Sequence, residues 1–259
     1  MTDFKMPLTE HLSDLRKRIV ISLISLLIGF VISFYYSEVL FRFLTMPLRY
    51  NISFSLSSPF VSFIEKNIKN NPPLVFLAPT EAFWMHIKIS MIAALIISLP
   101  VILSQLWKFI SPGLLHKEKK YVVPFVIITT TFFLIGAAYC FFLVLPFAMG
   151  FLLTYKTESL TPMLSVGNYV DFCLKFILAF GAIFELPIVI IFLTRMGFVT
   201  PKTLSKHRKY AIILAFIVAA FLTPTPDAFN QTLMAVPIII LYELGVLVSR
   251  IFVKRKAVS

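Results

Sequence analysis

The chain has 259 residues, of which 59% are hydrophobic and only 14% charged, and its mean hydropathy is +0.91. Soluble domains carry about 25% charged residues and disordered chains have low hydrophobicity, so the composition excludes both and points to a membrane protein. The formal net charge of +12 would suggest a nucleic-acid partner in a soluble protein, but in a membrane protein cytoplasmic loops carry the same excess.

Apolar runs separated by charge and turn clusters predict six spans, at about 19–36, 82–106, 122–145, 169–194, 210–222 and 229–249. The expectation is an all-α fold, a single transmembrane domain over 1–259. The first run ends in Ser33-Phe34-Tyr35-Tyr36-Ser37, which lacks a small-x-small cleavage site, so it reads as a retained anchor. The outer loop at about 37–80 reads as a folded cap. Its runs Val39-Leu40-Phe41 and Ile52-Ser53-Phe54 suggest short interfacial helices, and Pro47, Pro59, Pro72, Pro73 and Pro79 punctuate it.

Six spans place both termini on one side. That side holds Lys5, Arg16, Lys17 and Arg18, then Lys108, Lys117, Lys119 and Lys120. It also holds Arg195, Lys202, Lys206, Arg208 and Lys209, and in the tail Arg250, Lys254, Arg255 and Lys256. The other side holds only Arg42, Arg49, Lys66, Lys69 and Lys156. The positive-inside rule therefore makes both termini cytoplasmic, and the basic charge is topological, with no nucleic-acid partner expected.

Span five is short: 12 residues from Ala211 to Leu222 make roughly 18 Å of helix against a hydrocarbon core of ~30 Å. The hairpin Thr223-Pro224-Thr225-Pro226-Asp227 should then sit below the outer surface, or the bilayer thins there. Such a recess suits a docking helix or substrate, or is simply covered by neighbouring loops. Pro100, Pro124, Pro187 and Pro237 lie in or beside spans and can bend them. There is no GxxxG pair and no internal repeat.

Polar residues inside the spans carry the functional signal. Glu185 lies ten residues before Arg195, roughly 15 Å into the membrane. A carboxylate there costs ~3 kcal/mol or more, so it must face a cavity or partner, or be protonated. It is either a polar contact for another membrane component, a proton site, or a hydrogen-bonded packing group. Glu243 poses the same choice nearer the inner edge, and Gln231 can hydrogen-bond a passing helix. Asp171 and Lys175 are spaced to neutralise each other, and Lys88 can snorkel.

At the cytoplasmic face, Asp14 precedes Arg16-Lys17-Arg18 and Glu118 lies between Lys117 and Lys119. Carboxylates bind guanidinium well, so these acids either recognise a cationic peptide or are neutralised locally. Enzyme signatures are missing: there is no HExxH, GxSxG, Walker A or GxGxxG motif. The histidines, His11, His86, His116 and His207, and the cysteines, Cys140 and Cys173, show no metal spacing. No cofactor or metal is expected, and both thiols read as buried and inert.

Several of these residues also fall into a known pattern. His11-Leu12-Ser13-Asp14-Leu15-Arg16-Lys17-Arg18 is similar to HLxELRxR. Trp107-Lys108-Phe109-Ile110-Ser111-Pro112-Gly113-Leu114 with Glu118-Lys119-Lys120 is similar to WxFxxPGLxxxERR. Phe180-Gly181 with Phe184-Glu185-Leu186-Pro187 is similar to FGxxFExP. Leu222-Thr223-Pro224, Asp227, Gln231, Pro237 and Leu241-Tyr242-Glu243-Leu244-Gly245 follow in order. Running from about residue 8 to 250, these matches resemble TatC, the multispanning subunit of the twin-arginine protein translocase.

The resemblance implies a receptor for folded proteins bearing Arg-Arg signal peptides, in a concave, glove-like bundle with kinked helices and short fifth and sixth spans. It assigns signal-peptide binding to Asp14, Arg16, Phe109, Leu114 and Glu118. Glu185 matches the family's membrane-buried glutamate, and Gln231 and Glu243 join it as intramembrane polar contacts. Pro47 and Asp227 fall to the outer cap. It further implies TatA and TatB-type single-span partners packing near spans five and six, a homo-oligomeric receptor complex, the proton gradient as energy source, and a bacterial inner membrane, since no transit peptide precedes the matching region. Two departures stand out: Asp14 replaces the usual Glu, one methylene shorter, and the loop at about 51–75 is longer than in many members. The competing class is a proton-coupled small-solute secondary transporter using Glu185 and Glu243, which internal repeats would favour. An intramembrane protease lacks a catalytic pair.

Overall fold

The computed structural model describes residues 8–54, 61–65, 74–110, 122–154, 163–223 and 227–256. In chain order the elements are α1 (Leu8–Tyr35), α2 (Ser37–Leu44), α3 (Met46–Arg49), β1 (Tyr50–Phe54), β2 (Val61–Glu65), β3 (Leu74–Val75) and α4 (Glu81–Ile110). Then come α5 (Val122–Tyr139), a π-helical turn (Cys140–Val144), α6 (Leu145–Thr154), β4 (Leu164–Ser165), α7 (Val166–Phe184), α8 (Leu186–Arg195), α9 (Pro201–Lys206), α10 (Arg208–Leu222) and α11 (Ala228–Lys256). The fold is nearly all-helical, with five stretches long and apolar enough to cross a membrane: Leu12–Tyr35, Glu81–Phe109, Val123–Leu153, Val166–Arg195 and Ala228–Ile251.

The fifth predicted span, α10, has 15 residues, or roughly 22 Å of helix, and is short as expected. The sixth, expected to be short as well, is not: α11 runs for 29 residues, passing through Pro237 and continuing from its apolar stretch into the basic tail. The third apolar stretch also runs beyond the expected end near 145. Pro146 has no N–H to donate and its ring crowds the carbonyl four residues back, which would break an α-helix. Here the chain takes one wider turn, with Leu145 N–H bonded to Cys140 O, and so continues to Thr154.

The cap expectation is half right. Val39–Phe41 lies in α2, but Ile52–Phe54 is in a strand: β1 pairs with β2 in an antiparallel register from Tyr50↔Glu65 to Phe54↔Val61. The reason is the period-two alternation of Tyr50-Asn51-Ile52-Ser53-Phe54 and the β-branched and aromatic content of Val61-Ser62-Phe63-Ile64, which fit a pleated strand and not a helix. A second two-residue pairing joins β3 to β4 in parallel.

The chain divides into two compact units, Met1–Phe43 with Thr80–Thr131, and Leu44–Pro79 with Phe132–Ser259. In the first, α1 packs on α4. A Cβ at Gly29 would lie 3.2 Å from Ala94 O, so the two backbones meet there. The rings of Phe41 and His86 are 6.3 Å apart. Moving forward along the chain from Gly29 in α1 to Phe41 in α2 thus corresponds to moving backward along α4 from Ala94 to His86, so α1 with its continuation runs antiparallel to α4.

In the second unit the fully buried side chains include Cys140, Val144, Leu145, Val170, Cys173, Phe176, Phe180 and Met234. Both thiols are free and buried, as expected. A Cβ at Gly136 would lie 2.5 Å from Phe180 O, and one at Gly181 would lie 2.6 Å from the Phe133 ring. The pair lets α5 and α7 approach closely. Ile183, Ala215, Ile238 and Leu241 form a core that joins α7, α10 and α11.

Candidate functional site

The amino-terminal acid sits on α1. Asp14 and Arg18 are four residues apart and share a helix face; Arg18 Nε donates to Asp14 Oδ2 at 2.7 Å. Arg16, two residues from Asp14, is exposed and belongs to another face. In the sequence Arg16 is assigned to the signal-peptide surface, while Arg18 is one of the basic neighbours that can neutralise Asp14 locally, and this local contact is the one the structure shows.

Phe109, half-buried, lies at the far end of α4 beside the buried Trp107, whose ring meets Phe125 edge-on at 4.1 Å. Asp14 is 15 residues before Gly29 and Phe109 is 15 residues after Ala94. At 1.5 Å per residue both stand roughly 22 Å from that contact, and in an antiparallel pair this puts them at the same end. Leu114 and Glu118 lie outside the described residues.

Glu185 sits at a joint. The fourth predicted span is two helices, α7 ending at Phe184 and α8 beginning at Leu186. Pro187 cannot donate to Ile183 O, so the regular ladder stops there. Glu185 N–H bonds instead to Ala182 O at 3.1 Å, and the ladder resumes with Val189 N–H to Glu185 O at 2.9 Å. Glu185 Oε1 is buried and has no hydrogen-bond partner among the described residues. Next to it in sequence, Phe184 lines a largely apolar groove of about 710 Å³ with Tyr139, Phe229, Leu233, Val236 and Ile240.

Gln231, Glu243 and Asp227 find partners within the chain. Gln231 Nε2 donates to Phe216 O at 3.2 Å, bridging α11 and α10. Glu243 Oε2 accepts from Arg208 Nη2 at 2.8 Å. The carboxylate near the inner edge is therefore half of an ion pair with the first residue of α10, a partner that lies 35 positions away in sequence and was not foreseen. Asp227 is the cap of α11: Asn230 N–H donates to Asp227 Oδ1 at 2.7 Å. Pro47 is buried in α3, close in sequence to Leu44, whose carbonyl accepts from Tyr169 OH at 2.8 Å. Among the described residues no His, Cys, Asp or Glu cluster is arranged to hold a metal ion.

The comparisons with known proteins bear on this arrangement. A family model described as Sec-independent protein translocase protein (TatC) matches residues 10–237. The chain belongs to the TatC family. It is 39% identical over 252 residues to the Sec-independent protein translocase protein TatC of Desulforapulum autotrophicum, covering 97% of this chain and 87% of that one. It is also 39% identical to the TatC protein of Aquifex aeolicus, covering 97% and 98%. A crystal structure of the twin-arginine translocase receptor TatC in DDM superposes with a TM-score of 0.77 at 38% identity, covering 92% of this chain and 99% of that one.

As a TatC-family protein the chain is a component of the Sec-independent, twin-arginine protein translocase and not an enzyme. Its long apolar helices and its family make it a membrane protein of the bacterial inner membrane. The solute-transporter reading is set aside on these findings.

Proposed function

We propose that this TatC-family chain is the receptor that binds Arg-Arg signal peptides at its cytoplasmic face. Asp14 and Glu118 take the two guanidinium groups. Arg16, Phe109 and Leu114 shape the surface around them. Six spans, with α10 as the short fifth, leave both termini in the cytoplasm, in keeping with the bias of Lys and Arg toward that side. The apolar segment of the signal enters the membrane near Glu185, beside the groove that Phe184 and Tyr139 line. TatA and TatB-type single-span partners pack near α10 and α11, where Gln231 lies, within a homo-oligomeric receptor complex driven by the proton gradient.

The observation that carries the reading is the Asp14 carboxylate, which already holds a guanidinium nitrogen at 2.7 Å while its side chain stays 31% exposed. An acid in this setting can exchange one arginine for another, since an exposed pair is worth only about 0.2–1 kcal/mol. The test is export of an Arg-Arg precursor by Asp14→Lys and by Glu118→Lys. Loss of export and of precursor binding in both is expected. Normal binding by both variants would contradict the assignment.

A further inference from the structure

The connection between α8 and α10 has chemistry that signal recognition does not use. From Arg195 to Tyr210 the chain carries five cations, Arg195, Lys202, Lys206, Arg208 and Lys209, and no acid. Arg208 is neutralised by Glu243 at 2.8 Å. Lys202, Lys206 and Lys209 are exposed, and no acidic side chain pairs with them among the described residues. Lys202 and Lys206 are spaced i, i+4 on α9 and share a face.

This segment is held in a fixed shape. α8 ends with Phe198 N–H bonded to Leu193 O at 3.0 Å and Gly197 N–H bonded to Thr194 O at 3.1 Å. The turn needs a left-handed residue, which Gly197 supplies with φ +81°. Thr200 caps α9 by accepting from Thr203 N–H at 3.2 Å. Tyr242 OH donates to Leu204 O at 2.8 Å, and Arg250 reaches Ser205 Oγ at 2.5 Å. The lysines are thus presented on a frame tied to α11.

Apolar side chains flank them. Phe198 is 71% exposed and Tyr210 57% exposed, and Lys209 Nζ lies 5.1 Å from the Tyr210 ring centroid. Cations interleaved with exposed aromatic rings at the ends of membrane helices match the boundary between phosphate headgroups and acyl chains. An acidic protein segment would meet the lysines but leave Phe198 and Tyr210 in water.

We propose that residues 195–210 form a docking surface for anionic phospholipid headgroups, with Lys202, Lys206 and Lys209 as the phosphate-binding cations. The surface uses none of the residues assigned to the signal peptide and does not depend on the signal-peptide reading. The test uses the full-length protein in neutral detergent, titrated with fluorescent phosphatidylglycerol and phosphatidylcholine. Each Lys→Gln change should weaken phosphatidylglycerol binding about fivefold, the equivalent of ~1 kcal/mol per surface cation. Added salt should weaken it further, and phosphatidylcholine binding should not change. Thermal unfolding of each single variant checks that it is folded. Equal binding of the two lipids by the unaltered protein, or phosphatidylglycerol binding unchanged in all three variants, would overturn the proposal. So would soluble glycerol 3-phosphate competing as well as the lipid, which would assign the lysines to a free anion.

Discussion

Arg18 occupies Asp14: its Nε lies 2.7 Å from Oδ2 within one turn of α1, with Arg18 18% and Asp14 31% exposed. The acid assigned to an incoming arginine is therefore engaged by an arginine of its own helix. An intrahelical pair of this kind is worth about 0.3–0.5 kcal/mol. We predict that Arg18→Gln raises the affinity for an Arg-Arg signal peptide by about twofold, the equivalent of that energy. Fluorescence titration with a labelled signal peptide reads it. A severalfold loss of affinity would mean that Arg18 positions the carboxylate and does not compete for it.

The Arg208–Glu243 pair separates a structural acid from a proton carrier. Its side chains are 49% and 41% exposed, so the pair lies at the protein's surface and not in its core, and surface pairs contribute about 0–1 kcal/mol. Glu243→Gln should lower the melting temperature only slightly and leave export intact. Complete loss of export in a folded Glu243→Gln protein would give that carboxylate a transport role.

Gly136 and Gly150 make a matched pair of substitutions. A Cβ at Gly136 would sit 2.5 Å from Phe180 O, whereas one at Gly150 meets nothing within 4 Å. Gly136→Ala should destabilise by about 1–3 kcal/mol through overpacking. Gly150→Ala should be neutral or stabilising, because alanine is worth roughly 0.5–1 kcal/mol more than glycine inside a helix. Thermal unfolding in detergent compares them.

Glu185 has a buried oxygen without a partner among the described residues and directly follows Phe184, which lines the groove. Glu185→Ala should reduce co-purification of TatA or TatB-type subunits while leaving Arg-Arg peptide binding near normal. If peptide binding is lost instead, initial recognition and the membrane step share this residue.

Much of this was readable from the chain. The apolar runs located the helices because hydropathy over some twenty residues is a long signal. Pro187 pointed to the joint at Glu185, since a missing N–H acts on a known carbonyl. Pro146 acts in the same way, but the chain absorbed it in a π turn, which hydropathy does not register. Three apolar or small residues at Ile52–Phe54 cannot separate a helix from a strand, while the alternation over Tyr50–Phe54 can. The Asp14–Arg18 contact was implicit in its spacing. Arg208 with Glu243, and Gln231 with Phe216, were not, because tertiary packing brings them together across 35 and 15 positions.

The central claim is recognition of paired arginines by the cytoplasmic acids. A photoreactive residue at position 118 should crosslink a precursor carrying Arg-Arg in its signal. The same precursor with Lys-Lys should label far less, because ammonium lacks the bidentate geometry of guanidinium. Equal labelling of both precursors, or labelling of neither, would contradict the receptor assignment and leave Asp14 and Glu118 as local charge partners.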